Sequence, residues 1–223
     1  MELTTTWISE RASNDLIFEK KINSFALDII DSYNFTEYDQ DFDQLYPIRY
    51  RSISKIHWTP VDVIKIAVGW LNGKTPCKIL DIGSGVGKFC LLGSILSKSI
   101  FVGVEKRKNL FEQSKKTAKL LEIKRVHFIN ENVVNIDFTD YDAFYYFNPF
   151  CEQIANSDWI DKKPTFSLEK YGEYEKHVFS QLKIMPKGTK VVTYCSNDFS
   201  LPVSYQVRNM MFDGLLVLWI KLE

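Results

Sequence analysis

From residue 77 onward, short continuous apolar runs alternate with longer stretches whose apolar positions recur every three or four residues. "CKILDIG" (77–83) and "SIFVGVE" (99–105) have strand length and buried-strand character, and "GKFCLLGSILSK" between them has helical spacing. "RKNLFEQSKKTAKLLEI" reads as an amphipathic helix, "RVHFIN" as a third strand and "YDAFYYFN" as a fourth. "LEKYGEYEKHVFSQLKIM" predicts a long helix and "TKVVTYC" a fifth strand. Strands alternating with helices imply parallel crossovers and an open sheet covered on both faces. The tail breaks the alternation. "SYQVRNMMFDGLLVLWIKL" holds two strand-like runs around Asp213-Gly214, a dipeptide that favours a two-residue hairpin. The pattern predicts an α/β, Rossmann-like sheet, mostly parallel and closed by a C-terminal antiparallel hairpin.

Upstream of this body, "HWTPVDVIKIAVGWLNG" carries a helix start: Thr59 as N-cap, Pro60 at the first helical position, and Gly73 past the end. Over residues 9–32, Leu16, Ile17, Ile22, Phe25, Ala26, Ile29 and Ile30 recur at mixed three and four spacing, which predicts one or two further helices. The acidic, aromatic "FTEYDQDFDQLYP" (35–47) reads as a loop over the main body. Residues 1–58 are thus a helical N-terminal extension or lid, and residues 59–223 the main domain.

Charge narrows the partners. Lys plus Arg equals Asp plus Glu, 28 each in 223 residues, so no global field favours nucleic acid or an anionic membrane. The longest apolar runs, such as "GLLVLWI", are too short to span a bilayer, and the N-terminus lacks the pattern of a secretory signal. Cys77, Cys90, Cys151 and Cys195 are widely spaced with no Cys-x-x-Cys, which points to free thiols in a reducing cytoplasm rather than a metal site or disulfide frame.

The chemistry concentrates at "ILDIGSGVGKF". Asp81 and the run Gly83-Ser84-Gly85-Val86-Gly87 follow a strand directly and open a helix. Glycines there permit close approach of a ligand to the main chain, and the helix N-terminus offers free N–H groups. Ligands of open parallel sheets bind at this edge, beyond the strand carboxyl ends. A dinucleotide fingerprint needs its third glycine where Lys88 stands, so the spacing disfavours an NAD(P)-dependent oxidoreductase. Glu105, at the end of "FVGVEK", is placed to accept hydrogen bonds from both hydroxyls of a ribose.

With these residues the sequence resembles the class I S-adenosyl-L-methionine-dependent methyltransferases over roughly residues 59–223. "DIGSGVG" is similar to their first motif and "GVEK" to the end of their second strand; locally the pair resembles the non-SET histone-lysine methyltransferase type. The resemblance implies a seven-stranded sheet, six strands parallel and the last antiparallel. It implies S-adenosyl-L-methionine as cofactor, with Gly83, Ser84, Gly85 and Gly87 under its methionine and ribose portions and Glu105 on the ribose. "NENVV" would flank adenine through Asn132 and Val133. Asn132 stands where many relatives carry Asp, and its other role is to cap a loop. Asp81 holds the glycine turn and the amino end of the cofactor.

In this fold the fourth strand ends beside the reacting methyl group. Here it runs into Asn148-Pro149-Phe150, and since proline gives no N–H to a ladder, the strand is expected to end at Asn148. "NPF" resembles the Asn-Pro-Pro-Tyr motif of enzymes that methylate amide or nucleobase amino nitrogens, with Phe150 in place of the second proline and Cys151 in place of the aromatic. Asn148 and a turn carbonyl would orient an acceptor NH2, and Phe150 would stack on a planar acceptor or exclude water; the plainer reading makes Asn148 the start of a turn. The histone-methylating type lacks this motif, so its lysine substrate does not transfer. His57 and Trp58 either close over the cofactor or form a packed hinge, and residues 151–166 form a loop of the kind that selects substrates. The basic run Lys106, Arg107, Lys108, Lys115, Lys116 and Lys119 is a solvated helix face or a nucleic-acid contact. The reading is a cytoplasmic methyltransferase acting on an amino or amide nitrogen of an acceptor that is a small molecule, a protein or a nucleic acid, with no metal and no membrane partner. Its rivals are the oxidoreductase and a non-catalytic cofactor-binding or scaffold protein of the same fold. The sequence carries no signal of oligomeric state.

Overall fold

The computed structural model describes residues 36–52, 54–150, 167–196 and 199–223. The helices expected over residues 9–32 and the connection 151–166 lie outside the described residues. Seven strands form one sheet: β1 (Lys78–Ile82), β2 (Ile100–Val104), β3 (Val126–Ile129), β4 (Ala143–Tyr146), β5 (Lys190–Tyr194), β6 (Tyr205–Met211) and β7 (Leu216–Lys221). Their order across the sheet is β3-β2-β1-β4-β5-β7-β6. The first five pair in parallel, and β7 runs antiparallel to both β5 and β6. Six strands therefore share one direction and β7 opposes them, as the pattern and the resemblance implied.

Helices α1 (Thr36–Asp43), α2 (Ile48–Arg51), α3 (Ser54–His57) and α4 (Val61–Leu71) precede β1; α5 (Lys88–Leu96), α6 (Lys108–Leu120) and α7 (Leu168–Ile184) are the crossovers. Alternation along each strand sorts the core into two layers. Ile79, Phe101, Tyr145 and Val192 pack on one face with Ile64, Leu71, Phe89 and Leu92, whereas Leu80, Val102, Tyr146 and Val191 pack on the other with Phe138, Val178 and Leu182. Among the described residues, no helix is long and apolar enough to cross a membrane.

Three local expectations are corrected. Residues 36–43 form a helix, not a loop, because Asp39, Phe42, Asp43 and Tyr46 fall at i, i+3, i+4 and i+7 and turn to the body together; Phe42 and Tyr46 are fully buried. Helix α4 begins at Val61, with Pro60 in the N-cap position and no side-chain cap from it. The Val61 N–H is instead accepted by both carboxylate oxygens of Asp39, at 3.2 and 3.3 Å, and Thr59 Oγ1 pairs with the Tyr145 hydroxyl at 2.9 Å. Strand β4 ends at Tyr146, two residues before Asn148. The hairpin is as expected: Leu215 N–H donates to Phe212 O at 2.9 Å, and both residues between, Asp213 and Gly214, have positive φ.

Candidate functional site

The carboxyl ends of β1, β2, β4 and β5 converge with the glycine turn on one edge of the sheet. Ser84 N–H donates to Val104 O at 2.9 Å and Gly87 N–H to Ser84 O at 2.8 Å, which fixes the turn between β1 and α5. Two clefts open there, each of about 580 Å³. The first is bounded by Asp81, Gly83, Ser84 and Gly85 on the turn, by His57, Trp58 and Thr59 before α4, and by Tyr145, Phe147 and Asn148 at the end of β4. The second lies between Glu105 and Lys106 on one side, Asn132 and Val133 on another, and Phe150 and Tyr174. Gly83, Arg107 and Pro149 line both and form the partition between them.

The glycines do different work. At Gly85, φ is +55°, and a Cβ would meet no atom within 4 Å, so the space above this residue is open to a ligand. At Gly83, φ is +75°, and a Cβ would overlap Pro149 Cβ. Pro149 is therefore seated directly on the turn. Gly87 lines neither cleft; a Cβ there would reach Phe128 and Ser114, so it serves helix–strand packing.

The strand stops early because the Asn148 N–H leaves the ladder. It donates to Ser196 Oγ at 2.9 Å, whose hydroxyl donates to Tyr194 O at 2.7 Å. Asn148 takes the left-handed conformation, φ +35°, which asparagine tolerates better than most residues. Among the described residues, nothing bonds the Asn148 side chain. Phe150 is buried on the second cleft against Tyr146 and Tyr174, with ring centroids 6.0 and 5.0 Å away. Asn148 and Phe150 thus face different clefts.

Glu105 is almost fully buried and saturated. Its Oε1 accepts from Arg107 N at 2.8 Å and Arg107 Nε at 3.0 Å; its Oε2 accepts from Gly85 N at 3.0 Å and Arg107 Nη2 at 3.3 Å. Asn132 Oδ1 accepts from Val134 N at 3.4 Å, a weak cap of the 3-10 turn Val133–Asn135, and the residue lines the second cleft as well. Asp81 is buried and takes a hydrogen bond from Cys90 Sγ at 3.4 Å. Burial, with a smaller contribution from the Glu105 charge, pushes its carboxyl up to about 7.

The sequence reading did not single out the roof of the first cleft. Lys88, the first residue of α5, is buried with Nζ 2.5 Å from Asp39 Oδ1 and 2.8 Å from Asp43 Oδ1. Tyr46 donates its hydroxyl to Val86 O at 3.2 Å and meets the Trp58 ring edge-on at 4.7 Å. Segment 36–60 is thereby pinned to the turn. The i, i+3, i+4, i+7 spacing from Asp39 to Tyr46 was the available signal.

The arrangement suits an adenosyl ligand laid across the partition: an open glycine, a buried acid beside the second cleft and a second acid in the first. Comparisons with known proteins agree. The model of the family described as protein-L-isoaspartate(D-aspartate) O-methyltransferase (PCMT) matches residues 9–144, more than half of the chain. No curated protein matches the sequence. Among solved structures, a point mutant of MtNAS in complex with S-adenosylmethionine is 17% identical with a TM-score of 0.51, the match covering 92% of this chain and 73% of that one. A putative methyltransferase, yhhF, from Escherichia coli is 13% identical with a TM-score of 0.50, covering 72% of this chain and 84% of that one. Both likenesses are of fold.

Proposed function

Since the chain belongs to the PCMT family and is an S-adenosyl-L-methionine-dependent methyltransferase, we propose that the atom it methylates is an amino or amide nitrogen, presented in the first cleft by Asn148. The observation that carries this reading is the Asn148 backbone. Its ladder N–H is spent on Ser196, its left-handed φ turns the chain, and its side chain, unbonded among the described residues, lies on the cleft that holds Asp81 and Gly85. A side-chain carbonyl in that position accepts from an acceptor NH2 and aims its lone pair. The family's description names an oxygen acceptor, but the matched residues stop at Phe144, before Asn148, Pro149 and Phe150.

The cofactor supplies an electrophilic methyl group on a sulfonium sulfur. The protein supplies placement, the main requirement of an in-line displacement. Glu105 would hold the ribose, Val133 and Asn132 the adenine, and Asp81 with the Gly83–Gly85 turn the methionine end. Pro149 keeps the two halves of the site apart, and buried Phe150 closes the adenosine side against water rather than meeting the acceptor. Residues 1–58 act as the extension that walls the first cleft, through Tyr46, Trp58 and the Lys88 ion pairs. A cytoplasmic location accords with the free thiols of Cys77, Cys90 and Cys195.

Asn148→Ala tests the reading. The variant is expected to bind S-adenosylhomocysteine as the wild type does and to lose methyl transfer about a hundredfold, the cost of one aligning contact. The acceptor is found first, in a panel of nucleotides, small amines, peptides and isoaspartyl peptides. Wild-type turnover by Asn148→Ala on an accepted substrate would reduce "NPF" to a turn.

A further inference from the structure

The saturation of Glu105 has a consequence for ligand order and acceptor charge. A carboxylate offers about four acceptor positions, and Glu105 fills four, with two backbone N–H groups and two guanidinium N–H groups. The backbone donors belong to the glycine turn and the start of α6 and are fixed. The guanidinium donors sit on a side chain about a quarter exposed, on the partition between the clefts. Two ribose hydroxyls need two acceptor positions, the number that the guanidinium occupies. The first cleft also lacks a spare cation at Lys88, whose charge is matched by Asp39 and Asp43.

We propose that Arg107 is a two-position residue: it occupies the ribose seat on Glu105 in the cofactor-free protein and, displaced by the ribose, turns to the first cleft as the receptor for an anionic group of the acceptor. Binding is then ordered, cofactor before acceptor. The acceptor class narrows to molecules carrying a phosphate or carboxylate near the nitrogen to be methylated. This inference rests on the reading of Glu105 as the ribose acceptor, and the variants separate the two.

Arg107→Met keeps the aliphatic stem and removes the competitor. By calorimetry it should bind S-adenosylhomocysteine about tenfold more tightly than the wild type, because Glu105 is left buried without its charge partner until the ribose arrives. Glu105→Ala should lose affinity at least tenfold. If Glu105→Ala binds unchanged, the ribose reading falls and this inference with it. If Glu105→Ala is weakened and Arg107→Met binds no better than wild type, the ribose reading survives and the exchange is wrong. In the wild type, the Arg107 Nε–H resonance should shift on adding S-adenosylhomocysteine. Millimolar inorganic phosphate should perturb that resonance only in the loaded protein. Equal phosphate response with and without S-adenosylhomocysteine would overturn the acceptor half.

Discussion

Asp81 shows how one buried carboxyl couples the site to pH. Its folded value, about 7, stands above the ordinary 3.8, so between these limits the folded chain keeps a proton that the unfolded chain has lost. The resulting stability is complete below about pH 4 and is lost as pH rises through 7. Each pH unit inside the window is worth about 1.4 kcal/mol. Asp81→Asn removes the titration while keeping an oxygen for the Cys90 thiol. The wild type should therefore lose stability between pH 5 and pH 8 in urea melts, and the variant should lack that drop. An identical drop in both would remove Asp81 as its source. Binding has the opposite sense: an ionised Asp81 attracts the cationic amino end of the cofactor, so wild-type affinity should strengthen as pH rises through 7. The residue types at this edge were legible in the sequence: Asp81, Gly83, Gly85 and Glu105 all lie on the two clefts. What Arg107 does was not, because it depends on a side chain folding back two positions onto Glu105.

At the scale of elements, strands and crossovers were readable because buried parallel strands are continuous apolar runs and amphipathic helices repeat near 3.6. Segment 35–47 was misread because its acidic residues look solvated one at a time, and their partner Lys88 lies 45 residues on from Asp43. Thr59 satisfied the local rule for a cap, yet Tyr145, 86 residues away, took its hydroxyl. The end of β4 was misplaced for the same reason, since Ser196 is what draws Asn148 out of the ladder. Lys88→Met tests the first of these ties. It leaves two carboxylates beside a buried position, and Asp39 is only partly shielded, so the cost should be about 2 kcal/mol, below that of a fully buried pair. Amide exchange should quicken over residues 39–60, with β1, β2 and β4 unaffected. Uniform exchange changes across the sheet would show that Lys88 supports the whole fold rather than the strap.

Across the whole molecule, the topology follows from the order of runs and the closing hairpin, whereas the two clefts and their shared partition arise only when β1, β2, β4 and β5 end side by side. The same topology carries a consequence for synthesis. Strand β7 leaves the ribosome after β5 and β6 and yet lies between them in the sheet. Until residues 216–221 have emerged, β5 has no neighbour on its outer side and β6 has no partner at all. A nascent chain ending at Gly214 should show no cooperative melting transition and should be cut by protease along β5 and β6, while one extended through Lys221 resists. The parallel half waits, with an open edge that chaperones can read, for the strand that arrives last to close it.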